Sequence, residues 1–176
     1  MAHLGKYPCF KEYLKGNILD AGCGNDKYPN AFGIDIVKTD VTDTVGNVEN
    51  MRLIFPDNQF DSIYCNNVIE HLDYPQMAFN EFYRILKVGG YAVIKCPARA
   101  HSHFYDDFSH IRPYPPVALT KLAENAGFKV EVAVYTGIPG FSFVPNKIAF
   151  ALGKLIKSKR SLLIAQKVYD RNVKRI

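Results

Sequence analysis

A chain of 176 residues has the length of one domain and enough material to bury a sizeable core. Apolar residues make up 48% of it and charged residues 22%, a globular balance that excludes a disordered chain. The net charge of +5 is uneven: residues 141–176 hold nine basic residues against one acidic, residues 1–140 hold 13 against 16.

No apolar run approaches the roughly 18 residues a membrane-spanning helix needs. Met1 to Lys15 mixes Lys6, Lys11, Glu12 and Lys15 with few apolar residues, so it does not read as a signal peptide. Cys9, Cys23, Cys65 and Cys96 are scattered, with no C-x-x-C pair. They suit reduced thiols, and a cytoplasmic protein is expected.

In chain order, strand-length apolar runs fall at Asn17–Asp20, Ala31–Ile36, Asp61–Cys65, Tyr91–Lys95 and Lys129–Tyr135. Between them, Tyr74 to Lys87 repeats Met77, Phe79, Phe82, Ile85 and Leu86 at helical spacing and stops at Gly89-Gly90. Pro116 to Ala126 predicts a second helix, opened by prolines and closed by Gly127. Asn146 to Lys157 predicts an amphipathic basic helix, and Ser161–Lys167 a closing strand. Alternation of this kind predicts an α/β fold with helices on both faces of a sheet. One domain is expected: a short lead (1–16), a core (17–135) and a basic C-terminal helix and strand (136–176).

The chemistry concentrates after the first strand. Ile18-Leu19-Asp20-Ala21-Gly22-Cys23-Gly24 runs an apolar strand into a turn whose two glycines let a ligand approach the backbone. Gly33-Ile34-Asp35-Ile36 then places a carboxylate at the end of the next strand, where it can accept two hydrogen bonds from a ribose diol. A dinucleotide site fits less well. Position 27 is Lys, not the third glycine of G-x-G-x-x-G, and Asp35 follows Gly24 by 11 residues, not about 20. Asp20 would also repel a pyrophosphate and suits a cationic amino group.

These motifs, in this order, resemble class I S-adenosylmethionine-dependent methyltransferases, in particular the methyltransferase type 11 group. Ile18–Gly24 looks like the family's first motif, Gly33–Ile36 its second strand, and Gly46–Met51 the segment that contacts adenine. Phe55–Ile63 is similar to the approach to the fourth strand, Asn67–Leu72 to the motif after it, and Leu86–Tyr91 to the turn into the fifth. Phe104–Asp107, His110–Tyr114 and Ala126–Phe128 complete the series.

The resemblance implies a Rossmann-like, mostly parallel seven-stranded sheet and S-adenosyl-L-methionine as cofactor. It implies that Asp20, Gly22, Cys23, Gly24 and Asn66 surround the methionine portion and that Asp35 binds ribose. Ile36, Asn47 and Val48 would border adenine, with Asn47 standing where the family usually has Asp. Only eight residues, Asn25 to Phe32, separate Gly24 from Gly33, and they include Pro29. The first helix after the glycine turn must therefore be truncated, which predicts an open pocket.

His71, after the fourth strand, is a candidate general base, and Tyr105 and His110 could orient or deprotonate an acceptor. Arg112 could hold an anionic group of the substrate. Asn67-x-x-Glu70-His71, with His101, His103 or His110, lacks the first carboxylate of the metal-binding version of this motif, and no metal site is expected. The chain lacks the Asn/Asp-Pro-Pro-aromatic motif of nucleic-acid amino-methyltransferases. The expected acceptor is an oxygen or other nucleophile of a small molecule, lipid or lipid-linked sugar. Two alternatives stay open: a nucleic-acid-modifying enzyme guided by the basic tail, and a non-catalytic binding module. The same tail could touch a membrane surface or nucleic-acid phosphates.

Overall fold

A computed structural model describes residues 10–97, 104–136 and 160–169. Seven strands form one sheet: β1 (Ile18–Ala21), β2 (Phe32–Asp35), β3 (Thr44–Val45), β4 (Phe60–Asn66), β5 (Leu86–Pro97), β6 (Lys129–Thr136) and β7 (Arg160–Gln166). Their order is β3-β2-β1-β4-β5-β7-β6. The pairs among β1–β5 are parallel, and β7 runs antiparallel to both β5 and β6. The chain leaves β1 toward β2 on one side and returns to β4 on the other. That reversal opens a crevice at the carboxyl ends of β1 and β4.

Six strands fall where the apolar runs predict them. β3 was not predicted, because two half-exposed residues, Thr44 and Val45, carry no periodicity. The helix α1 (Pro75–Ile85) ends before the glycines predicted to stop it. Leu86 turns extended (φ −77°, ψ 137°) and pairs with Phe60 at the start of β4, so strand pairing ends the helix. The helix α2 (Pro116–Ala126) has its predicted bounds. Gly127 closes it at φ 100°, with the Gly127 N–H on Glu124 O and the Phe128 N–H on Ala123 O, which satisfies two terminal carbonyls.

The two faces of the sheet are covered differently. Leu19, Ile63, Ile94 and Leu163 point to the face that α1 and α2 bury through Phe79, Phe82, Leu119 and Ala123. Ile18, Val93 and Ile164 point the other way, under Leu14, Phe10, Tyr13 and Tyr28, with a short 3-10 turn at Phe10–Tyr13. Aromatic rings layer this second face: Tyr13 meets Tyr91 edge-on at 5.0 Å, and Tyr28 lies 4.9 Å from Tyr64. Among the described residues, both α-helices lie on the first face. The basic helix expected over residues 146–157 lies outside the described residues, and so do His101, His103 and Cys9.

The short link after Gly24 forms no helix. Tyr28 N donates to the Asp20 carboxylate at 2.6 Å, which draws the link back across the end of β1. Phe82 is fully buried in the cluster that joins α1 to the sheet. Phe82→Ala should lower the unfolding free energy by about 3–5 kcal/mol, read by chemical denaturation, through lost burial and the cavity left behind.

Candidate active site

At the carboxyl ends of β1, β2 and β4 lies a cavity of about 660 Å³. The nine residues expected around the cofactor, Asp20, Gly22, Cys23, Gly24, Asp35, Ile36, Asn47, Val48 and Asn66, all line it, and His71 joins them. Asn25, Asp26, Glu49, Tyr64, Asn67, Val68, Leu72 and Asp73 also line it and were not singled out from the sequence. Tyr64 was readable: it lies two residues before Asn66 on β4, so both project to one face. The others sit on loops whose path no periodicity reveals.

Strand β2 holds the glycine turn. The N–H groups of Gly22 and Cys23 both donate to Ile34 O, at 2.8 and 3.1 Å. Gly24 N donates to Asp35 Oδ2 at 2.8 Å, and Val37 N to Asp35 Oδ1 at 2.9 Å. Gly22 has φ +79°, and a Cβ there would come within 2.2 Å of Val68 Cγ2. Glycine is required at that position on both counts. Gly24 differs: at φ +51° its missing Cβ would meet no atom within 4 Å, in open space at the cavity wall.

The cavity is acidic. Asp20, Asp26, Asp35, Glu49 and Asp73 line it, and the described lining residues include no Lys or Arg. Asp20 is 2% exposed. Burial pushes its carboxyl up to about 6, against the Tyr28 N–H, which lowers it, while Asp26 and Asp35 add to the rise. A cation placed there would relieve both effects. Asn47 is turned toward its own loop: its Oδ1 accepts from Glu49 N at 2.8 Å. Glu49 Oε1 in turn accepts from Tyr74 N at 2.6 Å, just ahead of α1.

Past β4, Asn67 takes a left-handed backbone (φ 56°) and a short 3-10 turn, Ile69–His71, brings His71 to the cavity. His71 and His110 stand 4.7 Å apart by ring centroids. His71 Nδ1 lies 3.0 Å from Ser109 Oγ and 3.2 Å from Ser109 O. Ser109 Oγ donates its only proton to Asp107 Oδ1 at 2.5 Å, so His71 Nδ1 is the donor to Ser109. That tautomer leaves Nε2 with the lone pair a base uses. His110 Nδ1 donates to Phe104 O at 2.6 Å, and its ring stacks on Phe104 at 4.6 Å. Ser109 was not a candidate from sequence; only the fold brings residues 71 and 109 together.

Tyr105 and Arg112 stand apart from the residues that line the cavity. Tyr105 is 77% exposed, and Arg112 is also exposed; neither lines the cavity. The 3-10 turn Phe104–Asp106 buries Phe104, leaving its neighbour Tyr105 outside. The expectation of no metal site meets a cluster: ligand-type atoms of Glu70, His71 and His110 lie within 4.8 Å of one another. His110 is the one of the three downstream histidines weighed from the sequence that the described residues place beside Glu70 and His71.

A family model described as a methyltransferase domain matches residues 8–132, and the chain belongs to this family. Its fold is that of S-adenosylmethionine-dependent methyltransferases. A SAM-dependent methyltransferase from Archaeoglobus fulgidus shares the fold at 20% identity and TM-score 0.69, over 90% of each chain. One from Methanosarcina mazei does so at 17% identity and TM-score 0.64, over 93% of this chain and 99% of that one. The [4+2]-cyclase SpnF matches at 17% identity and TM-score 0.62, over 88% of this chain and 76% of that one. A fold shared with a cyclase does not specify methyl transfer by itself. No curated protein matches this chain. The residues fit the cofactor: the open wall at Gly24 leaves it room, and the acidic lining suits a sulfonium and an ammonium group.

Glu70, in this turn, is fully buried, and among the described residues no other residue hydrogen-bonds either carboxylate oxygen. Burial raises its carboxyl from 4.5 to about 7, against the opposing pull of its own backbone N–H, His110 and Arg160. Below pH 4.5 it is protonated in the folded and unfolded chains alike. As pH rises through about 7 the unfolded chain releases the proton first, so stability falls. Glu70→Gln should match the native protein in urea unfolding at pH 4.5. At about pH 8 the variant should be more stable by roughly 2–3 kcal/mol. An equal difference at both pH values would refute the assignment.

Proposed function

We propose that this methyltransferase acts on an oxygen or other nucleophile of a small molecule or lipid-linked acceptor, with His71 taking the proton the nucleophile loses. The observation that carries the reading is the acidic cavity with His71 on its wall. Bound there, S-adenosylmethionine supplies a methyl group on a positively charged sulfur. Asp20, buried and raised toward neutrality, accepts from the ammonium group of the methionine portion. Asp35 spends two of its roughly four acceptor sites on Gly24 and Val37 and keeps the others for a ribose diol. Ile36, 70% exposed at the wall, gains cover when adenine lies on it. Asn66, at the end of β4, borders the methionine end.

In-line transfer is mostly a matter of alignment, and the chain contributes a rigid wall: three strand ends joined by backbone hydrogen bonds. The His71 tautomer is set by Ser109 and Asp107, so its free nitrogen can accept a proton without rearrangement.

Calorimetry with S-adenosylhomocysteine is the direct test. The native chain should bind it, and Asp35→Ala should weaken binding about 10- to 100-fold, the size expected for hydrogen bonds to a charged group. Because Asp35 also holds the glycine turn, a melting curve accompanies each titration. A folded native chain that does not bind the nucleoside would sink the reading.

A further inference from the structure

Two cations stand just outside the acidic cavity, beyond Asn66 on its wall. On β4 and β5, Asn66 and Lys95 are register partners, and on β5 and β7, Pro97 faces Arg160. Strand alternation puts Tyr64 and Asn66, then Lys95, then Arg160 and Leu162 on the face opposite α1 and α2. Arg160 Nη1 reaches Asn66 Oδ1 at 3.5 Å, and Asn66 and Tyr64 both line the cavity. Lys95 Nζ sits 4.7 Å from the Phe10 ring centroid and 5.9 Å from that of Tyr64. The aromatic contacts hold its stem half-buried, and no described carboxylate pairs with it. Burial first, and then the charge of Arg160, hold the Lys95 ammonium below its usual range. Arg160 thus stands near enough to disfavour the charge on Lys95, and an anion beside Lys95 would offset that.

The position also tells which ligand they face. Arg160 acts electrostatically on Tyr64, Lys95 and Glu70, which places it beside the turn that carries His71. Neither cation is among the charges that shift Asp20, whose neighbours are Asp26, Asp35 and Lys27. The cavity itself is therefore acidic, and the two cations lie outside its lining, on the far side of Asn66.

We infer that Lys95 and Arg160 form an anion subsite that binds a phosphate or carboxylate group of the methyl acceptor, while the acceptor's nucleophile faces His71. This rests on the methyltransferase reading of the cavity given above. The charges divide the work: the acidic cavity selects a cationic cofactor, and the two cations beyond it select an anionic acceptor. Asn66, on the cavity wall and in contact with Arg160, lies between them.

The probe is inorganic phosphate, titrated calorimetrically into the full chain at low salt, with and without saturating S-adenosylhomocysteine. Native protein should bind it, and Lys95→Gln and Arg160→Gln should each weaken binding at least about fivefold, a typical loss for one charge-assisted contact. Lys95→Arg should retain it. S-adenosylhomocysteine affinity should stay within about twofold in all three variants, since its contacts lie in the acidic cavity. Phosphate binding that is absent, or unchanged in both Gln variants, would overturn the inference. A parallel fall in nucleoside affinity would also overturn it, because the cations would then hold the cofactor's own carboxylate. Phosphate binding that depends on Lys95 in a chain that does not bind S-adenosylhomocysteine would support the anion site while removing the methyltransferase reading. Sedimentation with phosphatidylglycerol and phosphatidylcholine vesicles separates the sources. Retention on the first alone, lost in the same variants, puts the anion on a lipid headgroup; no retention puts it on a soluble acceptor.

Discussion

The glycine turn after β1 has no helix of its own to hold it, and the rest of the site depends on what takes the helix's place. In a longer connection the first turn of a helix would order the N–H groups that face the ligand. Here β2 does so. Ile34 O takes two of those N–H groups, and the Asp35 carboxylate takes the Gly24 N–H. Thr39 Oγ1 secures the Gly24 carbonyl from the loop beyond β2. The residue that is placed to bind ribose is therefore also the residue that shapes the turn beside it.

That economy has consequences for the surroundings. With eight residues between Gly24 and Gly33, this link supplies no helix to the second face, and among the described residues aromatic side chains cover part of it. Tyr28 packs near Tyr64, while its backbone N–H closes on Asp20. Gly33 is needed because a Cβ would meet Lys27 Cδ at 2.6 Å and Cys23 Sγ at 2.8 Å. Lys27 in turn pairs with Asp43, which also accepts the Gly33 N–H and is held below the usual carboxylate range, chiefly by that N–H. The short link is held by Tyr28 N on Asp20 and Lys27 on Asp43, with Asp26 N and Ala31 N bonded to carbonyls nearby.

Function follows from how charge is sorted along the crevice. Among the described residues, carboxylates gather where β1 and β2 end, and cations where β5 ends and β7 begins. His71, its tautomer set by Ser109, stands on the cavity wall. Glu70 beside it is buried, with no hydrogen bond from another described residue, so the turn that presents the histidine carries a titratable group whose charge is expensive. This arrangement links the protonation of the turn to the stability of the fold near neutral pH.

Much of the cofactor side of this architecture was legible in sequence, because the signals there are local. Gly22, Gly24 and Asp35 lie within 14 residues, each following an apolar strand that periodicity identifies. The two helices were equally clear from the spacing of Phe79 and Phe82 and from the prolines and glycine that bound α2. What tertiary structure alone decided is which distant residues meet. Strand pairing, not Gly89-Gly90, ended α1, and β3 exists only because β2 offers an edge to it. Tyr105 and Arg112 came to lie exposed, away from the cavity lining, while Ser109, 38 residues from His71, came to hold its ring. Arg160 reached Asn66 across 94 residues of sequence. Local chemistry sets which groups a strand end can present; the order in which the strands line up sets which of them share a cavity, and no single segment encodes that order.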